Sequence, residues 1–119
     1  VAVRGSGSGT SGYPYLGGSG ATLPPGVDNA GSTTPAYGHY YQVVVDARNA
    51  ASGQTFVAVN RDTTGTRASY ASVVPSFDAF AAATVAGYTQ AAVPTNWQLS
   101  FTGSTGGSTN IHERYCRRV

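Results

Sequence analysis

Apolar positions along the 119-residue chain fall into short runs, each broken within about ten residues by Gly, Pro, Asn or Asp. That spacing predicts strands and turns. Residues 1–4 alternate apolar and other side chains, and the Gly/Ser/Thr run 5–12 that follows reads as a loop, bulge or flexible edge. Tyr13, Tyr15 and Leu16 form a patch around Pro14 that suits an edge strand. Residues 17–38 are punctuated throughout and predict a long loop. The run 40–47 is rich in Tyr and Val, and 54–61 carries Phe56, Val57, Ala58 and Val59. With the turn 49–53 between them, the two runs predict a β-hairpin. A weaker strand is expected over 66–74. Residues 75–88 predict a short helix of about two turns capped by Ser76, with Asp78 in its first turn. Further extended pieces are expected at 89–94, 96–102 and 110–117, with Trp97, Leu99 and Phe101 on one face of the second. The order of elements predicts an all-β chain, an antiparallel β-sandwich or jelly roll.

Composition narrows the class. Sixteen Gly, 14 Thr and 12 Ser stand beside a 40% hydrophobic fraction and eight Tyr, too apolar and aromatic for a disordered chain. Only 10% of residues are charged and the net charge is +2, carried by Arg alone without Lys. No basic run exceeds the pair Arg117 and Arg118, so nucleic acid is not expected as a partner. No stretch approaches the ~20 apolar residues of a membrane span. Without Met, residue 1 is not a translation start, and the expectation is a piece of a longer precursor. The Lys-free, hydroxyl-rich composition points to an exported protein.

The chemistry available is sparse. Five carboxylates, Asp28, Asp46, Asp62, Asp78 and Glu113, offer no closely alternating pair of the kind glycoside hydrolysis needs. Turn capping is the expected role for most of the Asp residues. A serine nucleophile elbow is missing, and His112 and Glu113, as neighbours on a strand, face opposite sides. One Cys and two distant His make no metal-ligand spacing, and Asp28 with Asn29 is the only adjacent pair suited to Ca²⁺. The chain is therefore expected not to be an enzyme. The run 103–109 is different: Gly, Ser and Thr after an apolar strand present backbone N–H groups and hydroxyls without bulky neighbours. Such a rim suits sugar hydroxyls, while Tyr13, Tyr15, Tyr37, Tyr40, Tyr41 or Trp97 offers a ring for the apolar sugar face.

From Val93 to Glu113 the sequence VPTNWQLSFTGSTGGSTNIHE resembles the closing motif of bacterial L-type (legume-like) lectin domains, the concanavalin A-like jelly rolls. In that family a strand ending in Gly-Phe-Ser or Gly-Phe-Thr enters a small-residue loop bordering the sugar, and a His opens the last strand. The opening VAVRGSGSGTSGYPYLGG resembles the middle of those domains as they occur in secreted and pilus-associated surface proteins. The resemblance implies that Gly103, Ser104, Thr105, Gly106 and Gly107 line the carbohydrate-facing loop, with Phe101 beneath it. It also implies that the chain corresponds to the C-terminal half of such a domain. The family's Ca²⁺-coordinating Asp/Asn segment and its sugar-contacting Asp belong to the preceding half, so no cofactor is expected in this chain. The tail RYCRRV departs from the apolar residue that usually follows His-Glu.

Two functions follow as expectations for residues 1–119, read as a single lectin-like domain or half-domain. The first is a non-enzymatic, carbohydrate-binding module, secreted or at the cell surface, with glycans as partners. The second is a structural or self-assembling extracellular subunit on the same scaffold without sugar binding. A divided jelly roll exposes apolar sheet and open strand edges, so self-association or a complementing chain is expected, closed as a dimer or open as a filament. A glucanase of the same architecture ranks below both for want of paired carboxylates.

Overall fold

A computed structural model describes residues 1–20, 23–24 and 38–93. Their regular structure is mostly β, and every strand pairing among them is antiparallel. The centre is a three-stranded sheet, β5 (Tyr40–Asp46), β6 (Phe56–Asp62) and β7 (Ala71–Asp78), in that order across the sheet. Ahead of it in sequence come β1 (Ala2–Arg4) paired with β4 (Tyr15–Gly18), and a small hairpin of β2 (Gly7–Ser8) with β3 (Ser11–Gly12). One short helix, α1 (Ala79–Val85), follows β7. None of the described helices is long and apolar enough to cross a membrane.

The hairpin expected from the Tyr/Val and Phe/Val runs is β5 with β6, in continuous register from Tyr40 opposite Asp62 to Asp46 opposite Phe56. Its turn contains a single 3-10 turn, Ala50–Ser52, closed by Gly53 at φ +73°, a left-handed conformation in which glycine carries no steric penalty. The pleat separates two faces. Tyr41, Val43 and Val45 share one with Arg61, Val59 and Val57. Tyr40, Gln42 and Val44 share the other with Asp62, Asn60 and Ala58, and Asn60 Nδ2 donates to Gln42 Oε1 across it at 2.9 Å.

The structure corrects three expectations. The third strand runs over 71–78, through Pro75 and Ser76, instead of ending at 74. The ladder between β6 and β7 shifts register around Val59, and neither Pro75 nor Ser76 enters it. Proline, which has no N–H to give, is accommodated on an edge strand at such an irregularity. The helix is capped not by Ser76 but by Asp78, whose Oδ1 accepts from Phe80 N at 3.0 Å and also from Thr55 N. Within the supposed loop 5–12, β2 and β3 pair closely, because an added Cβ on Gly12 would stand 2.7 Å from Gly7 Cα.

The core is small. Val59, Val74, Ala79 and Ala83 are its buried apolar members. The β1–β4 ribbon reaches the Val57 and Phe77 face of the sheet at Gly17, where a side chain would meet the Phe77 ring at 3.1 Å. The segment after α1 is tied back to the ribbon's continuation. Ser6 N donates to Gln90 Oε1, and Ala91 N donates to Ser6 Oγ, both at 3.0 Å. The expected strands 96–102 and 110–117 lie outside the described residues.

Candidate functional site

At the Tyr40 and Asp62 end of the sheet, the chain after β6 turns around a single carboxylate. Asp62 is fully buried. Its Oδ1 accepts from Thr64 N and Thr64 Oγ1, both at 2.6 Å. Its Oδ2 accepts from Ala68 N at 3.0 Å, Ser69 N at 3.2 Å and Thr66 Oγ1 at 3.3 Å. The Thr64 hydroxyl, opposed by burial and aided by the backbone amides of Thr64, Ser69 and Ala68, holds this carboxyl far below the usual carboxylate range. An Asp turn continued by Thr at the second and fourth following positions is a recognisable local pattern, and it was the signal available for this cradle.

The cradle also fixes Arg67, a non-glycine residue at φ +59°. The two amides after it are anchored on Asp62, so its left-handed backbone is held by its neighbours. Arg67 Cζ stands 4.7 Å from the centroid of the Tyr40 ring, a cation–π contact worth about 0.5–1 kcal/mol at an exposed site. On the opposite face, Arg61 is buried and donates from Nη1 to Leu23 O at 3.3 Å and from Nη2 to Pro24 O. His39 is half-buried, and among the described residues its enclosed Nδ1 meets no hydrogen-bond partner. Burial, and next the charge of Arg61, lower its proton affinity below the usual 6.5.

The second feature is apolar. An open trough runs along the Tyr41, Val43 and Val45 face, walled by β1 and floored by β5 and β6. One part of about 460 Å³ is lined by Val1 to Arg4, Tyr41, Val43 and Val59, and a second of about 400 Å³ reaches Thr55, Phe80 and Val93. The two parts adjoin at Val3, Arg4, Val45 and Val57, which line both. Val43 is 55% exposed, and Tyr41 and Val45 are also exposed.

The candidate sugar loop, Gly103, Ser104, Thr105, Gly106 and Gly107, lies outside the described residues, as do Phe101, Trp97, Tyr37, Asp28, Asn29, His112 and Glu113. Of the rings considered, Tyr13, Tyr15 and Tyr41 are exposed, while Tyr40 is half-buried under Arg67. The three described Asp residues have structural partners. Asp46 pairs with Arg48, Asp62 holds its loop, and Asp78 caps α1. Ca²⁺ takes about six to eight oxygen ligands, and carboxylates so occupied and separated do not fit it. Among the described residues no three His, Cys, Asp or Glu gather at one point. Comparison with known proteins adds no relative: no family model, curated protein or solved structure matches the chain.

The electrostatics give stability a definite pH dependence. Hydrogen bonds from the Arg48 side chain, then from its backbone amide, hold Asp46 at about 2 against an ordinary 3.8. A lowered carboxyl favours the fold above its unfolded value, and that gain is lost as pH falls through the folded value. A lowered His39 acts in the same direction from a higher starting point, since the unfolded chain takes up the proton first, near pH 6.5. Melting temperature followed by circular dichroism is therefore expected to fall as pH drops below about 6.5 and to fall more steeply below about 4. A maximum on the acid side would contradict these assignments.

Proposed function

We propose that the chain is a non-enzymatic carbohydrate-recognition module acting outside the cell or at its surface, on a lectin-like, concanavalin A-like β-sandwich of which it forms the C-terminal half. The observation that carries the reading is the run from Val93 to Glu113, an apolar alternation followed at once by Gly103, Ser104, Thr105, Gly106 and Gly107. Sugars are uncharged and dense in hydroxyls, so small residues with accessible amides and hydroxyls bind them without a desolvated charge. The antiparallel β scaffold ahead of this run is compatible with the reading.

Binding of the purified chain to an array of immobilised glycans, with and without Ca²⁺, tests the proposal. Retention of at least one class of glycan is the expected result. Absence of binding under both conditions overturns it.

A second reading has its own observation. Among the described residues β5 pairs only with β6 and its other edge has no partner, with Val43, Val44 and Val45 exposed along it. Such an edge is a template for another strand, which favours a structural or self-assembling extracellular subunit, closed as a dimer or extended as a filament. Light scattering and electron microscopy at high concentration distinguish it, and a clean monomer there removes it.

A further inference from the structure

The ribbon of β1 and β4 carries a group of side chains that neither the trough nor the Asp62 loop uses. Burial alternates along residues 13–16: Pro14 is buried and Leu16 lines the trough, whereas Tyr13 and Tyr15 are 43% and 51% exposed. Arg4 stands opposite Tyr15 in the ladder and is exposed with it. Its Nη1 donates to Tyr13 O at 3.3 Å, and its Cζ lies 6.0 Å from the centroid of the Tyr15 ring. The guanidinium thus links the two tyrosines. Glycines let both rings lie close against the chain. A Cβ on Gly7 would stand 2.7 Å from the Tyr13 ring, and one on Gly18 would stand 2.9 Å from the Tyr15 hydroxyl.

Tyr13 has φ +56°, a left-handed conformation that is costly for a bulky residue and free of penalty for glycine. Its surroundings hold it there: Tyr13 N donates to Ser6 O at 3.1 Å, and Gly5 N donates to Pro14 O at 2.8 Å. A glycine would relieve this backbone, and the chain, which uses 16 glycines, keeps a ring at the position instead. We propose that Arg4, Tyr13 and Tyr15 form a binding platform for an acidic saccharide, a chain containing uronate sugars, with the tyrosine rings against apolar sugar faces and the Arg4 guanidinium on a sugar carboxylate. Tyrosine gives a flat, amphipathic contact surface at low cost in side-chain entropy. A guanidinium has five N–H donors, and with one on Tyr13 O the others can serve a carboxylate. Among the described residues no carboxylate pairs with Arg4, because Asp46, Asp62 and Asp78 serve Arg48, the 64–69 loop and α1. The hairpin beside Tyr13 adds exposed hydroxyls at Ser8, Thr10 and Ser11. Many hydroxyls around one cation suit a partner rich in hydroxyls and modest in charge. That describes a uronate chain better than a nucleic acid, in which every unit carries a phosphate.

The ligand class rests on the carbohydrate reading, to which the platform adds a sugar type and a site. Arg4, Tyr13 and Tyr15 are separate in sequence from residues 103–107, so each site is disabled by its own substitutions.

Calorimetric titration of the full 119-residue protein with oligogalacturonate, and with the same oligomer methyl-esterified, tests the proposal. Wild type is expected to bind the acid form saturably and at least about fivefold more tightly than the ester, a preference that shrinks as salt is added. Tyr13→Gly removes the ring and relieves the backbone, so binding is expected to weaken about tenfold or more while the β circular dichroism signal and the melting temperature are kept. Arg4→Gln is expected to weaken the acid form by about as much and to abolish the preference over the ester. Tyr88→Ala, at an exposed ring beyond α1, leaves binding unchanged. A wild-type protein that oligogalacturonate does not saturate overturns the proposal, as does equal affinity for acid and ester. So do Y13G and R4Q proteins that bind as tightly as wild type, or a Y88A protein weakened as much as Y13G. If Y13G does not fold, the ester comparison and R4Q decide. Retention of other glycans on the array by a protein that ignores oligogalacturonate overturns the platform alone and leaves the carbohydrate reading standing.

Discussion

Asp62→Ala is expected to lower the melting temperature by on the order of 10 °C at neutral pH, the largest effect of any single substitution considered in the described residues. Asp62 accepts from five donors, three of them backbone amides, at a fully buried position. Alanine supplies no acceptor, and the three amides and two hydroxyls that converge on the carboxylate lose a part-buried partner. Asp62→Asn is the informative companion. It keeps the volume but has one acceptor oxygen in place of two, and its amide nitrogen meets donors, so an intermediate loss is expected. The effect extends to Arg67, whose left-handed backbone is fixed by the two amides that follow it. Freed from them, the guanidinium loses its position over Tyr40. Thermal melts followed by circular dichroism measure the loss, and an unchanged melting temperature in D62A would mean that the carboxylate does not organise this loop.

Arg61→Met is expected to cost about 2 kcal/mol in urea denaturation, with an unchanged slope. The Arg61 side chain is 6% exposed and donates to the carbonyls of Leu23 and Pro24. Hydrogen bonds from a charged donor are the stronger kind. Methionine fills similar space and donates nothing, so the charge-assisted bonds to the half-buried Leu23 and the exposed Pro24 are lost. A second readout separates this from simple loss of packing. The Arg61 charge is one of the two causes that lower the His39 proton affinity, so in R61M the His39 ring titrates at higher pH by NMR. An unshifted His39 titration with an unchanged urea midpoint would contradict the account.

Different parts of the fold were legible to different degrees, for physical reasons that can be named. The β5–β6 hairpin is written in its side chains. Two runs of Tyr, Phe and Val flank a turn with glycine at its close, and propensity and turn chemistry agree. β7 was drawn too short because Pro75 ordinarily punctuates a strand, whereas at an edge with a shifted register its missing N–H costs nothing. The helix cap moved from Ser76 to Asp78 for the same reason, the strand having used Ser76. The β2–β3 pairing left no trace in hydropathy, being made of Gly and Ser whose backbones approach closely because side chains are missing. The role of Asp62 was partly legible. Its place in a turn was visible, but its burial and five donors depend on how residues 64–69 curl back in space. The trough could not be read from hydropathy alone. Tyr41, Val43 and Val45 look like ordinary half-buried strand positions, and only the structure shows them exposed beside β1.

Calorimetric titration of the wild-type chain and of the Gly106→Val, Gly107→Val double variant with a glycan retained on the array tests the central claim most directly. Both positions fall in the proposed sugar-bordering loop. The account predicts saturable binding to wild type and at least about tenfold weaker binding to the variant, a difference of about 1.4 kcal/mol or more, at an unchanged melting temperature. Equal binding by the two proteins, or a wild-type chain that no glycan saturates, would contradict it.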